Sequence, residues 1–131
     1  MSDVRVFLAV ALGGGLGSML RLFVTQVVVA RAGAGYGQYA TMFINVSGSF
    51  FIGVILEVAQ TRANTDPIWR FFLATGILGG YTTFSTFSFE AFGIASAGMP
   101  WTSVAYVIGS VVLGIAGAVC GVVSARMLSA M

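Results

Sequence analysis

The chain has 131 residues, of which 58% are hydrophobic and 8% charged, with no histidine, no lysine and a mean hydropathy of +0.99. Soluble domains carry about 25% charged residues, so this composition excludes a water-facing globule and points to an integral membrane protein. The net charge of +2 comes from six arginines scattered singly along the chain, not from a basic stripe, which excludes nucleic acid as a partner.

A hydrocarbon core of about 30 Å needs about 20 apolar residues per crossing. Four spans, at residues 4–30, 39–58, 68–97 and 102–128, therefore use the whole length as a single transmembrane domain. Arg5 before a short apolar run and Ala9-Val10-Ala11 imitate a secretory signal. The run continues to Ala30, however, and the expectation is a retained span.

The first span carries Gly13, Gly14, Gly15 and Gly17. Such a run lacks the Lys-Ser/Thr ending of a phosphate loop, and close helix packing is its expected use, because small residues let backbones approach in lipid. Arg21 lies well inside the span, where it either snorkels to the interface or marks a functional site. A glycine-rich connection, Arg31 to Gln38, leads to the second span.

In the second span Thr41, Asn45 and Ser49 recur every four residues and stack on one helical face. Asn45 offers two donors and an acceptor without charge. It is read either as an interhelical hydrogen bond or as part of a polar path. Pro67 favours the start of the third span, which at 68–97 is too long for one straight crossing.

A break is expected where Gly79-Gly80-Tyr81-Thr82-Thr83-Phe84-Ser85-Thr86-Phe87-Ser88 places glycines and hydroxyls in mid-span. Broken helices survive in a bilayer only inside protein or beside a wet cavity, and in transporters their freed carbonyls face cations. Phe84 and Phe87 sit beside this break, and the electropositive edge of a phenyl ring can face an anion.

The fourth span carries Tyr106 and Ser110, which extend the polar stripe of the second span if the two helices adjoin, and Gly114, Gly117 and Gly121 for packing. Cys120, the one cysteine, is expected as a small buried residue. With the termini on one side, Arg5, Arg62, Arg70 and Arg126 face Arg31 and the nearer Arg21 across the membrane. That weak asymmetry leaves both orientations open.

The mid-span motif followed by Glu90, together with Phe43-Ile44-Asn45-Val46-Ser47-Gly48 and with Gly17 four residues before Arg21, resembles the fluoride channels of the Fluc (CrcB) family over essentially the full length. The resemblance implies an all-α membrane protein of four helices, the third broken near the midplane, assembled as an antiparallel dual-topology homodimer with two pores between subunits. It implies no enzyme activity, but passive fluoride export and resistance to fluoride toxicity, in the lipid of a bacterial-type cytoplasmic (inner) membrane. By motif position, the carbonyls of Gly79 and Thr82 would hold a structural sodium ion at the dimer centre. Asn45, Phe84, Phe87, Ser85, Thr86, Tyr106, Ser110 and Thr41 would form the ion pathway, with Arg21 and Glu90 as vestibule or structural residues. Gly114 departs from the hydroxyl expected in some relatives, which limits the path beyond Ser110. Two other classes compete: a small four-span proton-coupled multidrug exporter, which needs an embedded carboxylate where this chain has only Asp3, Glu57 and Glu90 near span ends, and a structural subunit of a larger membrane complex.

Overall fold

The computed structural model describes residues 4–61 and 66–130; Asp3 and Arg62 lie outside them. The regular structure among the described residues is entirely helical. Helix α1 covers Val4–Ala32 and helix α2 Gly37–Thr61, joined through Gly33 and a single 3-10 turn, Ala34–Tyr36. The third apolar run forms two helices in succession. Its first arm, α3, is continuous through Ile68–Arg70, Phe71–Leu78 and Gly79–Tyr81, and its second arm, α4, is Phe84–Ser96. Helix α5, Pro100–Ser129, completes the chain with its proline in the first turn, where a missing N–H costs nothing.

Three stretches, 4–32, 34–61 and 100–129, are each long and apolar enough to cross a membrane. Their outward faces agree with lipid as the surrounding medium. Phe7, Leu12 and Phe23 on α1, Phe89 on α4 and Ile108 on α5 are all exposed. The buried cluster is small by comparison, with Ile44, Leu78 and Tyr81 at its centre and Val24, Ile52 and Ile55 against it. A soluble chain exposing this much apolar surface would aggregate, and the protein is an all-α integral membrane protein.

Glycine faces bring the helices together, as the first-span glycines suggested. On α1 a Cβ at Gly17 would collide with the carbonyl of Ile77, and one at Gly80 of α3 would collide with the carbonyl of Gly14. Helices α2 and α5 adjoin in the same manner, because a Cβ at Gly121 would strike the carbonyl of Phe50 and one at Gly117 would stand 2.9 Å from that of Val46. At the far end of this pair Arg126 grips Glu57 with both forks, Nε to Oε1 at 2.9 Å and Nη2 to Oε2 at 3.2 Å. Cys120 is exposed on α5, contrary to the buried position expected of it, because the buried stripe of that helix runs through Tyr106, Ser110, Gly121 and Ala125.

The third run departs from a plain helix twice. Between Phe71 and Leu78 the turns are widened to a π-helical pattern, and the N–H of Gly79 reaches back five residues to the carbonyl of Ala74. Such wide turns are uncommon and recur at functional sites. The break itself lies at Thr82 and Thr83, whose backbones are extended (φ −77°, ψ 158° and φ −151°, ψ 119°). Gly79 and Gly80, expected to form the break, are still helical, and Gly80 serves the packing on α1 instead.

Since the two α1 glycines at 15 and 17 differ only in what they face, they should separate packing from composition. A Cβ at Gly15 has nothing within 4 Å. Gly17→Ala should destabilise the protein by about 1–3 kcal/mol, while Gly15→Ala should stay within about 0.5 kcal/mol of the parent, as read from reversible unfolding in mixed micelles.

Candidate functional site

An extended dipeptide between two helices leaves backbone groups without helical partners, and each unsatisfied group in a bilayer costs several kcal/mol. Asn45 of α2 bonds Thr83 at both its N–H and its carbonyl. Its Nδ2 donates to the carbonyl of Thr83 at 3.0 Å, and its Oδ1 accepts from the N–H of Thr83 at 2.9 Å. The carboxamide thus binds the break as a neighbouring strand would. Gly48, three residues on, has no Cβ because the methyl of Thr82 occupies that place.

The helix restarts on Thr83, whose Oγ1 accepts from the N–H of Thr86 at 3.3 Å, the usual service of an N-cap threonine. The same oxygen donates its proton to Thr86 Oγ1 at 3.0 Å. Thr82 donates twice to the carbonyl of Leu78, from N at 3.0 Å and from Oγ1 at 2.9 Å.

These bonds bear on the carbonyls of Gly79 and Thr82. In an unbroken helix the carbonyl of Gly79 would accept from Thr83 N–H, and that of Thr82 from Thr86 N–H. Both N–H groups are diverted to side chains, the first to Asn45 and the second to Thr83 Oγ1. Gly79 and Thr82, the two carbonyls expected to hold sodium, are therefore among those released at the break, and side-chain capture of their helical donors keeps them so. Neutral oxygen suits a hard monovalent or divalent cation, and the donor set fits such an ion. Among the described residues no group of three His, Cys, Asp or Glu could hold a metal. Gly79 is exposed and a Cβ there would meet only the Ala74 carbonyl, at 4.0 Å, so packing within the chain does not require glycine at that position.

Beside the break lies an open cavity of about 450 Å³. Asn45, Gly79, Thr82, Thr83, Phe84, Phe87 and Ser110 all border it, and no ionisable side chain among the described residues does. Phe84 projects outward at 79% exposure, whereas Phe87 is buried, and the two ring centroids are 5.8 Å apart. Ser110 is 8% exposed and its Oγ has no hydrogen-bond partner among the described residues. A buried hydroxyl left unpaired costs about 1–3 kcal/mol, so this one is available to whatever enters the cavity.

Thr41, Tyr106 and Glu90 form a second cluster next to the first. Thr41 Oγ1 donates to Glu90 Oε1 at 2.9 Å and Tyr106 OH donates to Oε2 at 2.8 Å. The Tyr106 ring stacks obliquely on Phe87, with centroids 5.3 Å apart, and so connects the carboxylate cluster to the cavity. Ser85 and Thr86 are exposed at the start of α4 and belong to neither wall. Arg21 is half-buried on α1 and does not border the cavity.

Thr83 was not singled out by reading the sequence. The signal was available, since a threonine immediately before the first apolar residue of a restarting helix is an N-cap candidate. Ser47, which meets Tyr81 OH at 3.0 Å on the other side of α2, was likewise part of a quoted motif without being weighed as a contact.

A family model described as CrcB-like protein, Camphor Resistance (CrcB), matches residues 8–122. Curated relatives are similar over most of their lengths. The fluoride-specific ion channel FluC of Methylobacterium sp. (strain 4-46) is 52% identical over 110 residues, covering 84% of this chain and 87% of that protein. The protein of the same name from Solibacter usitatus is 42% identical over 120 residues, 92% of this chain and 98% of that one. That of Rhodopseudomonas palustris (strain BisB5) is 43% identical over 123 residues, 94% and 98%.

The carboxylate cluster makes a quantitative prediction. Thr41→Val and Tyr106→Phe remove the two donors of a single carboxylate, so their effects on unfolding free energy should not add. A double-mutant cycle should return a coupling of about 0.5–3 kcal/mol, and strict additivity would show that the two hydroxyls do not share Glu90.

Proposed function

The chain belongs to the CrcB family, a family of ion channels rather than enzymes, and we propose that it conducts fluoride passively across the membrane, relieving cells of fluoride. The observation that carries this reading is the wall of the cavity. It combines neutral donors, two phenyl rings and a buried hydroxyl with no partner, and it has no ionised group. Fluoride is small and strongly hydrated, so a pathway must replace water donors without holding the ion. Neutral donors and ring edges bind weakly at several sites, which permits entry and exit. Asn45 keeps one Nδ2–H after bonding Thr83, and Ser110 offers its hydroxyl. Phe84 and Phe87 line the cavity with rings whose edges can face an anion, and Tyr106 and Thr41 hold Glu90 at one end of the track.

The cavity is open and Phe84 projects from it, so the reading includes a second copy of the chain to complete the walls. The copies are antiparallel, giving two pores, in a cytoplasmic (inner) membrane. The weak arginine asymmetry supports insertion in both orientations. Gly79, exposed and unobstructed, permits two breaks to approach, and their released carbonyls would hold sodium between them. A bound sodium ion supplies positive field near the path without entering it.

The exporter reading requires a carboxylate free to exchange protons with a substrate. Glu57 is engaged by Arg126, and Glu90 by Thr41 and Tyr106. Both are committed to structure.

Purified protein in liposomes loaded with potassium fluoride should release fluoride within seconds to an electrode once valinomycin shunts the charge. Phe84→Leu or Phe87→Leu should each slow release at least about tenfold, equivalent to about 1.4 kcal/mol in barrier, with assembly unchanged. Release no faster than from empty liposomes would sink the reading, and proton-coupled uptake of organic cations would replace it with an exporter. Dual insertion is tested separately: a tag at either terminus should be protected from a membrane-impermeant reagent in about half of the molecules, and labelling of all molecules from one side would exclude it.

A further inference from the structure

Two N–H groups at the break are held by side chains that need not have been there. The N–H of Thr83 goes to Asn45 Oδ1 at 2.9 Å and the N–H of Thr86 to Thr83 Oγ1 at 3.3 Å. Were either side chain absent, the N–H would be left without a partner in lipid, at a cost of several kcal/mol. Its nearest remedy is the carbonyl four residues earlier, which is Gly79 for the first and Thr82 for the second. Closing either bond would extend the helix into the break and withdraw an oxygen from it.

We propose that Asn45 and Thr83 are positioning residues for the cation, each sequestering the N–H that would otherwise neutralise a cation-binding carbonyl. This inference rests on the sodium part of the proposed function and gives Asn45 two separate duties. Its Oδ1 serves the cation through the backbone of α3, and its unused Nδ2–H serves the anion in the cavity. The acceptor atom and the donor atom of one carboxamide thus address ions of opposite charge. Ser49 provides the contrast, since it borders the same cavity but donates to the carbonyl of Asn45, at 2.8 Å, within its own helix.

The experiment measures binding of radioactive sodium to the purified, assembled protein in detergent at constant ionic strength, with fluoride efflux measured in parallel. Asn45→Leu, which keeps the branched shape and loses the acceptor, and Thr83→Ala, which loses the cap, should each weaken sodium binding at least about tenfold (about 1.4 kcal/mol), while Ser49→Ala should stay within about threefold of the parent. Raising sodium should restore efflux in Thr83→Ala. It should not restore it in Asn45→Leu, which also lacks the anion donor. Sodium affinity unchanged in both variants, with the parent binding normally, overturns the positioning role alone. A parent protein that conducts fluoride but binds no sodium overturns both this role and the cation part of the functional reading. Should Asn45→Leu not assemble, Thr83→Ala decides by the same tenfold criterion.

Discussion

The structure depends on one constraint: a chain in lipid must satisfy every peptide group from within, and residues 82 and 83 have left the helix that would do so. The carboxamide of Asn45 resolves this by taking both sides of the Thr83 peptide. A hydroxyl residue at 45 would offer one atom where two are needed, and an apolar residue would offer none. The break is therefore written in two places, in the threonines of the third run and in the second span 38 positions earlier.

Packing delivers Asn45 to that position. Gly53, Gly117 and Gly121 let α2 and α5 approach to backbone contact, and Gly17 and Gly80 do the same for α1 and α3. The three-residue polar stripe of α2 is thereby divided among different tasks. Thr41 holds Glu90, Asn45 holds the break, and Ser49 faces the cavity. On α5, Tyr106 joins the first task, and Ser110 is left over with its hydroxyl unspent. The result is a cavity whose polarity is entirely neutral, with its nearest carboxylate already bound by two hydroxyls.

Much of this was legible before any coordinates. Apolar runs interrupted by polar connections gave the membrane reading, and the hydroxyl-rich motif located the break to within three residues. What misled was the glycine pair, since glycine is both a helix breaker and a packing surface. Sequence does not say which role applies without knowing that Gly14 lies opposite Gly80. The widened turns of Phe71–Leu78 carried no recognisable signal, because hydrophobic periodicity is too coarse to distinguish five-residue from four-residue bonding over eight residues. The division of Asn45 between backbone and cavity was also out of reach. A residue type shows how many hydrogen bonds it can make, but only its surroundings show how many are already taken.

The site turns on the backbone of two threonines, whose conformation is directly measurable in a bilayer. Solid-state NMR of protein labelled with 13C and 15N at threonine, tyrosine and phenylalanine, reconstituted in lipid, reports backbone conformation through the Cα and Cβ shifts. The expected result is extended-chain shifts at Thr82 and Thr83 between helical shifts at Tyr81 and Phe84. Helical shifts running unbroken from Tyr81 through Phe84 would contradict the account at its foundation.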